Sequence, residues 1–347
     1  MRRVPPTGLS LVRVVAVAAG ASLGLAACAT TVSLPHATGL PSFSISVPLT
    51  NVACTTSDSC VAVGTSSGDV GPSSVGQYRK PSGRWAPIAV PSAPSSSLVA
   101  SSCWRTACVF VGSQPSGDLM WLYDQTTHSV TSIPTPTGGR GVEAIACTSS
   151  VSCAFIDEGS NGVPRFFMSA LTSNLPFVAQ PEVMTWAGPD HVTALACGSQ
   201  LVCTTAVIDG ANKAALGVTE DGGATWLTQT TLPSTWTALT SLDCKRHACI
   251  ALVKTTNGSR VARTANLGER WKAVSVPESP TSMACLTLDT CVVGGVRATS
   301  EALLALYQNH TVSSVNLKYV PTPISDVACG RKVCVAIGVT TVISLRP

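Results

Sequence analysis

The sequence predicts an all-β protein built as a ring of seven repeats, and three observations carry the prediction. First, fourteen of the fifteen cysteines fall into seven close pairs: Cys54/Cys60, Cys103/Cys108, Cys147/Cys153, Cys197/Cys203, Cys244/Cys249, Cys285/Cys291 and Cys329/Cys334. Second, the pairs recur at steps of 49, 44, 50, 47, 41 and 44 residues, a period suited to a small four-stranded sheet. Third, composition favours strands and turns, with Val, Thr, Ser and Ala abundant and aromatic residues at only 5%. The expected architecture is a single seven-bladed β-propeller of four-stranded antiparallel blades.

Each cysteine pair sits in the same local text. An alternating apolar stretch leads into the first cysteine, as in Ala144-Ile145-Ala146-Cys147, and a polar turn follows. The second cysteine opens another apolar run, as in Cys60-Val61-Ala62-Val63-Gly64. Two such runs around a short polar turn read as a hairpin, which places its cysteines opposite one another at disulfide distance. Zinc binding is the first alternative, but zinc knuckles use Cys-x2-Cys in clusters and here every pair lies a repeat away from the next. Free buried thiols are the second, and the leader described below places the chain in an oxidising compartment instead.

The second repeat reads in full. Strand A covers Leu98 to Cys103, strand B Cys108 to Ser113, strand C about Leu119 to Tyr123 and strand D about Ser129 to Ile133. Pro134 ends strand D because proline cannot donate to a ladder, and Pro91, Pro181, Pro233, Pro277 and Pro321 stand at the same place in other repeats. The last repeat runs out after a strand C at Thr341 to Leu345. Phe43 to Pro48 reads as a strand D with its proline, so this N-terminal strand is expected to complete the seventh blade and close the ring.

Arg2, Arg3 and Arg13 precede a short apolar run, Val14 to Leu25, that is too short to span a bilayer but suits a secretory leader. Leu25-Ala26-Ala27-Cys28 then resembles a bacterial lipobox. That resemblance implies cleavage before Cys28, diacylglycerol on its thiol, and a chain anchored by lipid on the extracytoplasmic side of the cell membrane. The expected organisation is a signal peptide over 1–27, a tether over 28–42 and the propeller over 43–347. Losing the leader removes three arginines and takes the net charge from +4 to +1. With 12% charged residues this leaves no electrostatic footprint for nucleic acid.

In the fourth repeat, between strands C and D, stands Thr219-Glu220-Asp221-Gly222-Gly223-Ala224-Thr225-Trp226. It resembles the Asp-box of the sialidase-like β-propeller superfamily, Ser/Thr-x-Asp-x-Gly-x-Thr-Trp. In the resemblance Asp221 accepts hydrogen bonds from turn amides, Gly223 takes a positive φ and Trp226 covers the fold beneath. Degenerate copies occur at Thr264 to Trp271 and at Gly83-Arg84-Trp85. The motif implies structure and not activity: the Arg-Ile-Pro motif that opens a sialidase's arginine triad is absent, and none of the four tyrosines has an evident partner.

No catalytic constellation emerges. The five histidines show no metal spacing, no Gly-x-Ser-x-Gly surrounds a serine, and no cofactor or metal is expected. Asp157-Glu158 reads as a solvated loop. The expected function is non-enzymatic binding or scaffolding for a protein, glycan or envelope polymer by a monomer; the alternatives are a sialidase-like glycoside hydrolase and an assembly factor resembling the photosystem-assembly propellers. One sector stands out as a candidate binding site, where successive connections bring Trp186, Asp190 and Trp236 near the turn carrying Asp209 and Asn212. Tryptophan beside hydrogen-bonding groups suits a sugar ring or a peptide side chain, although a plug between blades is the competing reading of Trp186 and Trp236.

Overall fold

The computed structural model describes residues 49–68, 71–79, 85–91, 96–114, 117–135, 139–148, 152–159, 164–170, 178–179, 191–208, 213–229, 232–315, 322–339 and 341–345. Contacts divide the chain into Met1–Thr30 and Thr31–Pro347, and every described residue belongs to the second unit. The leader, Cys28, the tether and the Phe43–Pro48 segment all lie outside the described residues.

Seven antiparallel sheets follow one another along the chain. Among the described residues, six have four strands in the order A-B-C-D and the seventh has three. The A strands are Leu49–Cys54, Ser97–Trp104, Gly139–Cys147, His191–Cys197, Trp236–Lys245, Ser279–Thr287 and Ile324–Cys329. They form the inner ring of a seven-bladed β-propeller.

Register explains why the cysteine spacing is so regular. In every blade the two cysteines are directly opposed across the A–B hairpin. The disulfides are Cys54–Cys60, Cys103–Cys108, Cys147–Cys153, Cys197–Cys203, Cys244–Cys249, Cys285–Cys291 and Cys329–Cys334, with Cα atoms 3.9 to 4.1 Å apart. In blades 2 and 5 only two residues make the turn, and Arg105 and Arg246 take positive φ there, as a tight hairpin demands. Gly198 and Gly330 follow the first cysteine in blades 4 and 7. A Cβ at either would strike the backbone of the neighbouring blade's turn.

The disulfides sit deeper than the sequence suggests. Their text puts both cysteines at the edge of a polar turn, yet Cys60, Cys108, Cys153, Cys203, Cys249, Cys291 and Cys334 are all 0% exposed. The reason is that each opens strand B, which neighbouring blades cover on both faces. Each of these seven second cysteines belongs to a different apolar cluster of the core. The second cysteine of each pair is therefore part of the core, and the disulfide staples the hairpin into it.

The core is divided among the seams. The seven buried apolar clusters each join one blade to the next, and the last unites Leu49, Val52 and Trp85 of blade 1 with Ala328, Val335 and Ile337 of blade 7. The ring is closed by hydrogen bonds as well: Val52 N donates to Asp326 Oδ2 at 2.8 Å, and Lys332 N to Asp58 Oδ1 at 2.7 Å.

Two C–D turns share one hydrogen-bond plan. Thr219 Oγ1 donates to Asp221 Oδ1 at 2.8 Å and accepts from Gly223 N at 2.8 Å, while Thr225 donates to Asp221 through its amide and its hydroxyl. These bonds hold the Asp221 carboxyl down to about 2. Thr264, Asn266, Gly268 and Arg270 repeat the arrangement in blade 5. Trp226 packs edge-on against Phe166 of blade 3, and Trp271 against Trp236.

Candidate functional site

The channel at the centre of the ring is built by a repeated irregularity. Each A strand carries one extra residue relative to strand B, four positions before its cysteine: Thr50, Val99, Glu143, Thr193, Thr240, Thr281 and Ser325. Such a bulge bends the strand and re-aims a side chain. All of these except Thr193 line a cavity of about 300 Å³ that touches all seven A strands.

Five of the seven bulge residues are hydroxylic, and each hydroxyl donates to a strand-B carbonyl of its own blade, at 3.1 to 3.5 Å. Three of them also reach the next blade: Thr193 to Leu239 O at 2.6 Å, Thr281 to Ile324 O at 2.9 Å, and Ser325 to Leu49 O at 3.5 Å. The hydroxyl thus gives the interrupted ladder a donor and ties neighbouring blades together.

The next position along the strand adds a second set of ties. Ser241 Oγ accepts from Met283 N at 3.0 Å and Ser282 Oγ from Val327 N at 3.2 Å. Asp326 accepts from Ser282 Oγ at 2.6 Å and from Val52 N, and Asn51 accepts from Ser101 Oγ. These clamps run from blade 5 through 6, 7 and 1 to blade 2. In blades 2, 3 and 4 the same position holds Ala100, Ala144 and Ala194. Asp326 lines the channel, and desolvation pushes its carboxyl up to about 6. Desolvation does the same to Asp243.

The ring pattern breaks on adjacent blades, 2 and 3. Val99 is 46% exposed, a large apolar side chain where the others carry hydroxyls. Glu143 accepts a hydrogen bond from the Val192 amide, but its buried Oε2 has no partner. Burial pushes its carboxyl up to about 7, with Glu158 and Asp157 adding to the rise.

A separate set of charged groups lies in the seam between blades 2 and 3. Asp157 is fully buried and makes a two-pronged bond to Arg165, Nη2 to Oδ2 at 2.6 Å and Nε to Oδ1 at 2.9 Å. Arg165 lies over the Phe167 ring. Asp118 is 9% exposed and neither of its carboxylate oxygens has a hydrogen-bond partner. Burial and the nearby Asp157 raise its pKa, opposed by Arg165.

This differs from the sequence expectation at two points. Asp157 belongs to strand B and to the core, because its side chain turns inward to Arg165 directly opposite on strand C. Trp236 is 5% exposed, in a cluster with Leu216, Leu239 and Val253. It opens strand A of blade 5 and fills the seam with blade 4, so it offers no surface to a ligand. Trp186, Asp190, Asp209 and Asn212 lie outside the described residues. Among the described residues, no three His, Cys, Asp or Glu side chains are grouped to hold a metal ion, and no helix is long and apolar enough to cross a membrane.

Glu143, Val99 and Asp118 were missed by the sequence reading. The signal for Glu143 and Val99 is in the repeats: aligned on the first cysteine, the fourth residue before it is Thr or Ser in every other blade.

No family model matches the chain, and no curated protein matches it in sequence. Solved structures do. A structure described as YCF48 bound to D1 peptide superposes with a TM-score of 0.63 at 15% identity, covering 91% of this chain and 98% of that one. YCF48 from Cyanidioschyzon merolae gives 0.62 at 10% identity over 88% and 96%. A GH74 xyloglucanase from Xanthomonas campestris gives 0.64 at 10% identity over 86% of this chain and 52% of the enzyme. At such identities the likeness is one of fold, and the fold is the seven-bladed β-propeller.

Proposed function

We propose that this chain is a non-enzymatic binding propeller, anchored by a lipid on Cys28 at the outer side of a bacterial cell membrane. Its ligand enters the central channel from the face made by the B–C turns and meets the wall of blades 2 and 3. The observation that carries this reading is the broken ring. Five blades keep a hydroxyl that satisfies backbone carbonyls, whereas two adjacent blades give it up for Val99 and for the partly unpaired Glu143. Local choices that weaken a repeat scaffold without compensation mark the places where function overrides stability.

A polypeptide ligand is the favoured class, since a propeller of the same fold is described with a bound peptide. Hydrolysis of a glycan would need two carboxylates with divided roles. In this channel Asp326 is committed to Ser282 and the Val52 amide, which leaves Glu143 without such a companion. The Thr219–Trp226 turn is read as an Asp-box, a structural element away from the ligand.

Site-specific photo-crosslinking in expressing cells tests the reading. A crosslinker at Val99, in the channel, is expected to trap a discrete partner. One at Ala265, exposed on the opposite face, is expected to trap none. Trapping at Ala265 alone would overturn the assignment. Membrane fractionation of Cys28→Ala tests the anchor: the variant should leave the membrane fraction, and equal retention would rule the lipid out.

A further inference from the structure

We propose that the cavity between the C–D turns of blades 5 and 6 binds a phosphate group, free or esterified to a small carrier. The cavity opens on the face opposite the channel mouth, apart from the site read there. Its ligand is a small molecule, so the expectation that no protein is trapped at Ala265 is unchanged.

Strand C of blade 5 is Gly258–Thr264 and strand D is Lys272–Val276, and their register sets Val261 opposite Val274 and Arg263 opposite Lys272. The two valines pack into the seam with blade 6. Arg263 and Lys272 lie on the same side one step further out, and like charges directly opposed across a ladder destabilise it. Both line a cavity of about 350 Å³, together with Arg270 and His310. The lining holds three permanent cations and no acid. Arg263 Nη1 meets Asp289 at 3.1 Å, and its buried Nε has no partner. Among the described residues, no acid pairs with Arg270 or Lys272. His310, on blade 6, is held through Nδ1 by the Tyr307 hydroxyl at 3.2 Å.

The neighbouring seam shows the same repeat without these charges. Blade 4 places Val218 opposite Leu227 at the equivalent positions. The matching cavity between blades 4 and 5 is lined by these two, by Glu220 and Glu269, and by no lysine or arginine. The two C–D turns keep one hydrogen-bond plan, so the cavities differ in the side chains that the plan carries. Asn266 stands where the blade 4 turn has Asp221, Arg270 where it has Thr225, and Ala265 where it has Glu220. Each of these three exchanges makes the turn more positive. The blade 5 turn's one acid, Glu269, accepts from Asn266 Nδ2 at 2.9 Å and lines the other cavity. Cations gathered against their own repulsion are matched by an anion with several acceptor oxygens, and phosphate accepts from guanidinium forks and an ammonium together. A carboxylate would bring only two oxygens and one charge to three cations. Nucleic acid would need a stripe of such charge, whereas a single cavity suits a single group.

Isothermal titration calorimetry on the full chain, purified in detergent, tests the site with three probes. They are inorganic phosphate, glycerol 3-phosphate and glycerophosphoglycerol, the last standing for the diester of a lipid headgroup or polymer. At constant ionic strength at least one is expected to saturate a single site about tenfold more tightly than acetate, or better, and the tightest of the three identifies the source. Arg270→Thr combined with Lys272→Leu copies blade 4 and should weaken binding about tenfold or more without lowering the melting temperature in phosphate-free buffer. Lys272→Leu alone should weaken it in the same direction, and carries the test if the double variant does not fold. Lys254→Leu combined with Arg260→Thr removes the same charge from exposed positions at the other end of blade 5 and should leave binding intact. Saturation by none of the probes, acetate bound as tightly as phosphate, or undiminished binding in the copies of blade 4 would overturn the site. An equal loss in the charge-matched control would overturn it too, by showing that net charge alone attracts the anion.

Discussion

Thr281 shows how one atom serves two blades. Its hydroxyl lies 2.9 Å from the Ile324 carbonyl of blade 7 and 3.4 Å from the Gly294 carbonyl of its own blade. Thr281→Val keeps the shape and strands both acceptors, so it is expected to cost about 1 kcal/mol in denaturant unfolding. A variant as stable as the parent would show that channel water replaces the hydroxyl. Three desolvated acids make a second residue-scale prediction. Burial raises Asp326 and Asp243 to about 6 and Glu143 to about 7. A carboxyl whose folded pKa exceeds its unfolded value binds its proton more tightly in the fold. Its stabilising contribution is full below the unfolded value near 4 and is lost as pH rises through 6 to 7. Thermal melts should therefore rise as pH is lowered from 7 toward 5, and Asp326→Asn should flatten part of the rise. A steady fall over that range would contradict the assignment.

At the scale of the element, the disulfide hairpin is the unit that carries both register and repeat. Each bond closes a loop of about seven residues, so chain entropy limits its contribution to about 2 kcal/mol. Replacing Cys244 and Cys249 together by alanine should cost about that much and leave the other six bonds intact, as non-reduced peptide mapping would show. Links between blades would contradict the hairpin register. These hairpins were legible because covalent geometry ties cysteine spacing to strand pairing, and the blade count came with them. The burial of Cys153, Cys203, Cys291 and Cys334 was not, because it depends on the blades that pack against strand B and not on the turn beside it. The bulges were hidden too, because a strict alternation of two cannot express an extra residue. That same blindness misplaced Trp236. A second bulge, between Trp236 and Ala238, extends strand A back to the tryptophan and carries it from the connection into the core. Trp236→Ala should accordingly lower stability by roughly 3–5 kcal/mol, as for other buried aromatics, and a near-neutral effect would return it to the surface.

Over the whole molecule, the ring is unevenly clamped. Side-chain bonds at the channel link blades 5, 6, 7, 1 and 2 in succession, and Asp326 alone touches three of those blades. Blades 2, 3 and 4 carry alanine at the same position and are tied by other bonds instead, Cys147 N to Ser102 Oγ at 2.9 Å and Thr193 Oγ1 to Leu239 O at 2.6 Å, and it is here that Val99 and Glu143 replace the channel hydroxyl. The buried charge of the seam between blades 2 and 3 could not be read from sequence, since Asp118 lies in a different repeat from Asp157 and Arg165 and approaches them only when these blades pack. The most direct measurement restores the missing repeat. In Glu143→Thr the hydroxyl should find the Ile156 and Val192 carbonyls, as Thr193 finds those of Ala206 and Leu239. At pH 8 this variant is predicted to melt a few degrees higher than the parent, a gain of about 1–2 kcal/mol, and to lose the partner trapped by a crosslinker at Val99. A variant that melts lower and keeps that partner would show that Glu143 is a structural residue and that the ligand binds elsewhere.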